Sequence, residues 1–205
     1  MPSTPSTAGY SETAPALITQ YESLSFEQVH AEVMHLYPQA PSDVLDVGAG
    51  TGRDAAALAR QGHRVTALEP TPELRTYGEQ AHAGLGIEWL DDSLPALPVA
   101  IARPQRYDLI LLTAVWMHLD ADERRIGMAA LAAMVKPGGR LSFSLRHGPI
   151  PEGRRMFDVS GAELAESARP YGLVPLCSVS TTGLFGRTDV SWTRMVLQAA
   201  PVLIA

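Results

Sequence analysis

The fold of this chain is decided by one stretch, Val44-Leu45-Asp46-Val47-Gly48-Ala49-Gly50-Thr51-Gly52. Its first four residues form a short, mostly apolar run, which is typical of a strand buried on both faces. The glycines that follow allow the positive φ angles of a tight turn. Residues 53–61 then predict a helix. A buried strand that turns directly into a helix is the first unit of a parallel α/β sheet.

The alternation of strands and helices continues downstream of this turn. Apolar runs predict further strands, at 63–68, 86–90, 107–112 and 140–145. Helical periodicity predicts helices between and after them, at 71–83, 121–135 and 160–168. Two final β-rich runs, 173–180 and 190–198, have no helix between them. They are joined through Gly183 to Gly186, so they predict an antiparallel hairpin at one edge of the sheet.

Upstream of the turn, the sequence divides into an arm and a helix. Ser, Thr and Pro are frequent at the start of the chain, so a flexible arm is predicted for residues 1–22. A leading helix is predicted for residues 25–37, with Ser25 as its N-cap. Residues 43–198 form the predicted α/β core, and the length of 205 residues fits one domain.

Composition narrows the class of partner. The formal net charge is −6 and no stretch is dense in Lys or Arg, which disfavours a nucleic acid and favours a small molecule. Cys177 is the single cysteine, so an intrachain disulfide is excluded, and no zinc-site spacing occurs, so no metal is predicted. Neither a signal peptide nor a run of about 18 apolar residues is present. We therefore expect a cytoplasmic protein that does not enter a membrane.

The first turn has the residue types of a ligand site. In open α/β sheets, ligands bind beyond the carboxyl ends of the strands, and glycines allow the backbone to approach them closely. Asp46 places a carboxylate before the turn, which suits a cationic amino group and would repel a pyrophosphate. The dinucleotide fingerprint needs a glycine where this chain has Arg53, so NAD is the weaker hypothesis.

Carboxylates follow the next two strands as well. Glu69 ends the second strand about 20 residues after the turn, where a carboxylate can accept hydrogen bonds from ribose hydroxyls. An acidic strand end next to a helix start would explain Glu69 equally well if it stood alone. Asp91 and Asp92 follow the third strand and offer an acceptor and a backbone donor of the kind that adenine requires. Three strand ends could thus bind three parts of one nucleoside.

Residues 44–52 resemble the first motif of the class I S-adenosylmethionine-dependent methyltransferases. Later motifs of that family are similar to Glu69-Pro70 and to residues 91–95, 107–119 and 135–145, so the resemblance covers about residues 40–198. It implies a Rossmann-like, doubly wound, seven-stranded sheet in the order 3-2-1-4-5-7-6 with strand 7 antiparallel. It also implies S-adenosylmethionine as the cofactor and S-adenosylhomocysteine as the product.

The resemblance assigns cofactor-binding roles to individual residues. The glycine turn with Asp46 would hold the methionine moiety, Glu69 the ribose, and the residues after the third strand the adenine. Arg53 is not part of the family pattern, and we interpret it with Asp54 as a surface ion pair. The implied cofactor-binding residues are Asp46, Gly48, Ala49, Gly50, Gly52, Glu69, Pro70, Asp91, Asp92 and Thr113.

The loops after the fourth and fifth strands contain the candidates for binding a methyl acceptor. His118 is the candidate general base, and a structural histidine bonded to backbone is the alternative. Trp116 is a candidate lining residue of the acceptor pocket, with a core position as the alternative. Arg146 and His147 are candidates for binding an anionic acceptor.

These observations favour an enzyme that methylates a small molecule. The alternatives left open are a protein or RNA methyltransferase and a non-catalytic protein that binds an adenosyl ligand. Methylation of a DNA base is disfavoured, because the fourth motif reads Thr113-Ala114-Val115-Trp116 and lacks the family's Asn-Pro-Pro-Tyr signature. The sequence leaves open the acceptor and the choice between monomer and homodimer.

Overall fold

The structure, a computed structural model, describes residue 7 and residues 9–182 and 188–201. The loop predicted between the last two strands, at Gly183 to Gly186, lies outside the described residues. No helix in the described ranges has the length and apolarity that crossing a membrane requires.

One mixed sheet of seven strands forms the centre of the fold. The strands are β1 (Asp43–Val47), β2 (Arg64–Leu68), β3 (Glu88–Leu90), β4 (Tyr107–Thr113), β5 (Val135–His147), β6 (Leu173–Thr182) and β7 (Ser191–Ala199). Their order is β3-β2-β1-β4-β5-β7-β6. β7 is antiparallel to β5 and β6, and the other neighbouring strands are parallel. The predicted α/β class, strand order and edge hairpin are confirmed.

Helices cover both faces of this sheet. They are α1 (Tyr10–Glu22), α2 (Phe26–His30), α3 (Arg53–Arg60), α4 (Pro72–Ala81), α5 (Pro98–Ile101), α6 (Ala121–Met134) and α7 (Gly161–Ala168). One core joins α5, α6 and α7 to alternate strand residues such as Leu112 and Phe143. The other joins α2 and α3 to residues such as Leu109 and Leu111. Burial on both faces explains why β4 is apolar at every position from Leu109 to Leu112.

The strand order reverses between β1 and β4. Asp46 of β1 lies between Ala67 of β2 and Leu111 of β4, at the centre of the sheet. The chain leaves β1 toward β2 on one side and leaves β4 toward β5 on the other. A crevice therefore opens at the carboxyl ends of these two strands, which is where α/β sheets bind ligands.

The N-terminal segment differs from its prediction as a flexible arm. Residues 10–22 form α1, although Pro15 removes one backbone donor inside the helix. Ala14 is buried, and Tyr10, Leu17 and Tyr21 on the same face line a cavity. Packing of this face stabilises a helix that the Ser-, Thr- and Pro-rich composition does not predict.

The helix predicted at 25–37 is interrupted. Ser25 is the N-cap of α2 and forms a capping box with Gln28, but α2 ends at His30 and a separate 3₁₀ turn covers Met34–Leu36. The interruption places Tyr37 against the sheet, with its hydroxyl 2.9 Å from His30 Nδ1 and 2.7 Å from Ser142 Oγ.

Candidate active site

A cavity of about 380 Å³ lies at the carboxyl ends of the parallel strands. Its walls come from the residues that follow β1, β2, β3 and β4, from β5 and β7, and from α1. Of the predicted site residues, those that line it are Asp46, Gly48, Ala49, Gly50, Glu69, Pro70, Asp92, Thr113, His118 and Arg146. Four others lie elsewhere: Gly52, Asp91, Trp116 and His147.

The glycine turn forms the floor of the cavity. The N–H groups of Gly48 and Ala49 both donate to the Leu68 carbonyl, at 2.8 and 2.9 Å, which ties the turn to β2. Gly52 has φ +85° and begins α3 behind the turn, where an added Cβ would lie 2.6 Å from the Trp89 ring. Gly52 is thus required for backbone conformation and for packing, outside the cavity itself.

Glu69 fixes the turn from the end of β2. One carboxylate oxygen accepts the Gly50 N–H at 2.7 Å and the other accepts the Thr71 N–H at 2.8 Å. Burial raises the pKa of Glu69, and these backbone hydrogen bonds oppose the rise. Each oxygen retains a lone pair, so the carboxylate can accept further hydrogen bonds from a ligand in the cavity.

Asp46 is buried without a complete set of partners. Its side chain is 2% exposed, and Oδ2 has no hydrogen-bond partner among the described residues. Burial, followed by the negative charge of Asp54, raises the pKa of Asp46 well above its usual value. A buried carboxylate oxygen without a donor is costly, so this geometry favours a cationic ligand group beside Asp46.

Asp54 is the centre of a buried network rather than part of a surface ion pair, which corrects the sequence interpretation. Its carboxylate lies 2.7 Å from Arg53 Nε, 2.9 Å from His30 Nε2 and 2.8 Å from Thr113 Oγ1. Burial alone would raise the pKa of Asp54, but His30 and Arg53 together lower it. Thr113 is therefore held by Asp54 at the edge of the cavity.

The two aspartates after β3 have different environments. Asp91 is exposed, pairs with Arg75 Nη2 at 3.2 Å and lies outside the cavity. Asp92 lines the cavity, and its carboxylate accepts the N–H groups of Ser93, Val99 and Ala100 at 2.8–3.0 Å. Asp92 thus fixes the start of α5, a structural role that the sequence pattern does not reveal.

Two of the predicted acceptor-binding residues are structural in this fold. Trp116 is fully buried in the core and packs edge-to-face on Phe143, with ring centroids 5.3 Å apart. The core position, left open as an alternative, is therefore the observed one. His147 Nε2 lies 2.8 Å from Thr193 Oγ1 and does not reach the cavity.

His118 lines the cavity and has both ring nitrogens paired. Nδ1 lies 2.7 Å from the Arg155 carbonyl, and Nε2 lies 2.9 Å from the Tyr10 hydroxyl. A carbonyl only accepts, so Nδ1 carries the hydrogen and Nε2 of the neutral ring accepts from Tyr10. Burial lowers the pKa of His118, which keeps the ring neutral at physiological pH. Its unprotonated nitrogen is thus on the cavity side, covered by α1.

Further residues of the cavity lie outside the predicted cofactor-binding, acceptor-binding and catalytic set, although Tyr10 and Tyr21 belong to the N-terminal arm, which could form a lid. Tyr10 and Tyr21 of α1 extend over the cavity, and Arg154 stacks on the Tyr10 ring at 3.7 Å. Arg194 of β7 is 3% exposed and lies 4.9 Å from the Trp192 ring centroid. An arginine inside an otherwise apolar, non-edge strand is an unusual signal that could have identified it.

Comparison with known proteins gives a consistent family. The methyltransferase domain family matches residues 44–139. A ubiquinone biosynthesis O-methyltransferase of Xylella fastidiosa is 35% identical over 136 residues, which are 66% of this chain and 53% of that protein. A ubiquinone/menaquinone biosynthesis C-methyltransferase of Rubrivivax gelatinosus is 32% identical over 110 residues, which are 52% and 41% of the two proteins. The chain spans about half the length of the curated relatives it matches.

The fold also matches solved structures. The 1,6-didemethyltoxoflavin-N1-methyltransferase of Burkholderia thailandensis, solved with 1,6-didemethyltoxoflavin and S-adenosylhomocysteine, has a TM-score of 0.71 at 22% identity. The match covers 92% of this chain and 84% of that one. The glycine turn, the strand order and the matched domain agree, and together they support the class I S-adenosylmethionine-dependent methyltransferase family for this chain.

Proposed function

We propose that this chain transfers the methyl group of S-adenosylmethionine to a small-molecule acceptor and releases S-adenosylhomocysteine. The observation that carries the proposal is Asp46, whose buried Oδ2 lacks a partner in the described part of the chain, beside the glycine turn of the cavity. The amino group of the cofactor's methionine moiety would supply the missing donor and a compensating charge. The relatives named for methylating quinone precursors support a small acceptor.

The remaining cofactor contacts follow from the strand ends. Glu69 is placed to accept from the ribose hydroxyls with the lone pairs that Gly50 and Thr71 leave unused. Pro70 supplies an apolar surface for the adenine ring. The backbone amide of Asp92 is the donor proposed for a ring nitrogen, and the Asp91 carboxylate, which pairs with Arg75 and is not among the lining residues, stays a proposed adenine acceptor.

The chain's contribution to the reaction is positioning and exclusion of water. When bound, S-adenosylmethionine supplies a methyl group already activated by its sulfonium. Holding an acceptor atom in line with such a group accounts for about 7–11 kcal/mol of the barrier in well-oriented systems. Helix α1 encloses the cavity with Tyr10, Leu17 and Tyr21, so it keeps water from the reacting atoms and favours a small acceptor over a macromolecule.

An acceptor that must lose a proton has one base available. His118 is neutral, and its Nε2 is the nitrogen that can take a proton. The Tyr10 hydroxyl occupies that nitrogen, so an acceptor must displace Tyr10 or transfer its proton through the tyrosine hydroxyl. His118 is therefore the proposed general base, with Tyr10 controlling access to it.

Calorimetric titration with S-adenosylmethionine, S-adenosylhomocysteine and NAD tests the cofactor assignment. We expect micromolar binding of both adenosyl ligands and none of NAD. Glu69→Gln should weaken binding about 10- to 100-fold, as expected for the loss of a charged acceptor. Glu73→Gln, at an exposed carboxylate in the first turn of α4, is the matched control and should bind like the wild type.

Two results would overturn this proposal. One is a folded wild-type protein that binds neither adenosyl ligand. The other is tighter binding of NAD than of S-adenosylhomocysteine. Binding without methylation of any small molecule, in turnover assays with labelled cofactor, would instead support the non-catalytic binding alternative.

A further inference from the structure

Apart from Arg53 and Asp54, which pair with each other at 2.7 Å, the charged residues of the cavity are distributed unevenly. Asp46, Glu69 and Asp92 lie where β1, β2 and β3 end, and we call this side the acidic half. Arg146, Arg154 and Arg194 lie on β5, on the loop after it and on β7, and we call this side the basic half. The acidic half suits the cationic cofactor, so the basic half is the side left for the acceptor.

Arg194 is the most deeply buried cation of the basic half. Its side chain is 3% exposed, and neither Nε nor Nη1 has a hydrogen-bond partner within residues 9–182 and 188–201. The titratable groups that influence it are Glu32, Tyr37, Asp54 and Arg53. Asp54 is already bonded to His30, Arg53 and Thr113 and is not bonded to Arg194.

An unpaired guanidinium in this position is costly for the protein alone. Burial lowers the pKa of Arg194, yet a guanidinium keeps its charge at neutral pH. Unsatisfied donors on a buried charged group destabilise the folded protein more than those on a neutral group, and native proteins seldom contain them. An anion in the cavity next to Arg194 would provide the acceptor that the described chain does not.

Arg154 repeats this pattern on the other wall of the basic half. Its Nη1 is buried and has no partner among the described residues, whereas Nη2 donates to Thr13 Oγ1 at 2.7 Å. The guanidinium also stacks on Tyr10. Arg154 thus joins α1 to the cavity wall and keeps one buried donor without a partner in the described chain.

Apolar side chains also line the cavity. They include Leu24, Val29, Met117, Met156 and Trp192. Aromatic and thioether groups of this kind suit a flat apolar body.

We infer that the acceptor is a small molecule with an apolar, planar body and a carboxylate, and that Arg194 is the residue that selects the carboxylate. The inference rests on the proposed function, since it names the acceptor class of the same cavity. A guanidinium pairs with a carboxylate through charge-assisted hydrogen bonds, and Arg194 has the unused donors for them. Arg194 would act on acceptor affinity and leave cofactor affinity unchanged.

The test uses protein saturated with S-adenosylhomocysteine and matched probe pairs. Benzoate, 4-hydroxybenzoate and cinnamate are each titrated against the corresponding uncharged amide. We expect at least one carboxylate to bind tenfold or more tightly than its amide. Arg194→Met should abolish that preference and leave S-adenosylhomocysteine affinity within twofold, and Arg169→Met, at an exposed arginine paired with Glu166, should change neither.

The unfolding free energy of Arg194→Met separates binding from a structural role. A binding arginine leaves the ligand-free protein as stable or more stable when replaced by Met, because an unsatisfied buried cation is removed. A variant that is less stable and keeps the preference for carboxylates would show that Arg194 is structural and overturn the inference. Equal binding of every carboxylate and its amide would also overturn it. Failure of S-adenosylhomocysteine to bind would instead refute the proposed function.

Discussion

In the acidic half of the cavity, two of the three carboxylates are held by backbone N–H groups, whereas in the basic half, two of the three arginines pack on aromatic rings. Glu69 and Asp92 accept backbone hydrogen bonds from neighbouring loops. Arg154 and Arg194 stack on Tyr10 and Trp192. Backbone contacts depend on the strand–turn–helix geometry that many sequences share, but ring contacts depend on particular side chains. The acidic half therefore suits a ligand that many proteins of this fold share. The residues of the basic half can differ between proteins that bind different acceptors.

Substitution in the core beneath both halves should cause the greatest loss of stability. Trp116→Ala should lower the free energy of unfolding by about 3–5 kcal/mol, because it removes a fully buried aromatic side chain. Urea denaturation measures the change. Trp116→Phe should be much milder, since it retains most of the packing on Phe143 and removes an indole nitrogen that has no partner in the described residues. If Trp116→Ala left stability unchanged but abolished acceptor binding, Trp116 would be a residue of the acceptor pocket and not of the core.

A smaller loss of stability is expected where α4 packs behind the acidic half. Gly78 lies within α4, and a Cβ there would be 2.3 Å from the Trp89 ring. Gly78→Ala should therefore destabilise the protein by about 1–3 kcal/mol, although alanine favours helix by about 1 kcal/mol over glycine.

Thermal unfolding of Gly78→Ala in a Trp89→Leu background is the matched experiment. The smaller side chain makes room for the methyl group, so the double variant should recover most of the loss relative to Trp89→Leu alone. Independent, additive effects would mean that the contact with Trp89 is not the cause.

The acidic half could be predicted from sequence because its signals are local. The glycine turn and Glu69 are each positioned by their own strand end, so a short motif is sufficient. The local sequence does not distinguish Asp91 from Asp92. Asp92 is buried because its carboxylate accepts N–H groups at the start of α5, whereas Asp91 pairs with Arg75.

The basic half could be predicted only in part because it joins distant segments. Arg146 follows from its position near the end of β5, but Tyr10 and His118 are 108 positions apart in sequence. Arg194 lies beside Ser144 only because β7 inserts between β5 and β6. The prediction of a flexible arm failed for residues 10–22 for the same reason, since α1 is stabilised by side chains that pack over the cavity.

Asp46 gives opposite expected effects on binding and stability. Asp46→Asn should weaken S-adenosylhomocysteine binding about tenfold and should raise the unfolding free energy of the ligand-free protein at pH 7 by about 1 kcal/mol. The second effect follows because the buried oxygen lacks a partner in the part of the chain that the structure describes. Calorimetry and urea denaturation of the same samples measure the two changes.

The raised pKa of Asp46 gives the stability of the wild type a pH dependence of defined sign. Burial raises the pKa of Asp46 in the folded protein, so above about pH 4 the unfolded chain releases a proton that the folded protein retains. Stability of the wild type should thus fall as pH rises through this window. Asp46→Asn should flatten that fall, and an unchanged slope would mean that another carboxyl, such as Glu69, is responsible.

The smallest expected effect tests how α1 closes the basic half. Tyr10→Phe keeps the ring under Arg154 but removes the hydroxyl that donates to His118 Nε2. One lost buried hydrogen bond should lower the unfolding free energy by about 0.5–1.5 kcal/mol, and S-adenosylhomocysteine affinity should stay within twofold. Thr19→Val, at an exposed hydroxyl on the same helix, controls for general effects on α1.

If Tyr10 limits access to His118, then kcat should rise or stay constant in Tyr10→Phe for an acceptor that loses a proton. If the proton passes through Tyr10, kcat should fall while the KM for the acceptor is unchanged, and the tyrosine would belong to the reacting groups rather than to the enclosure.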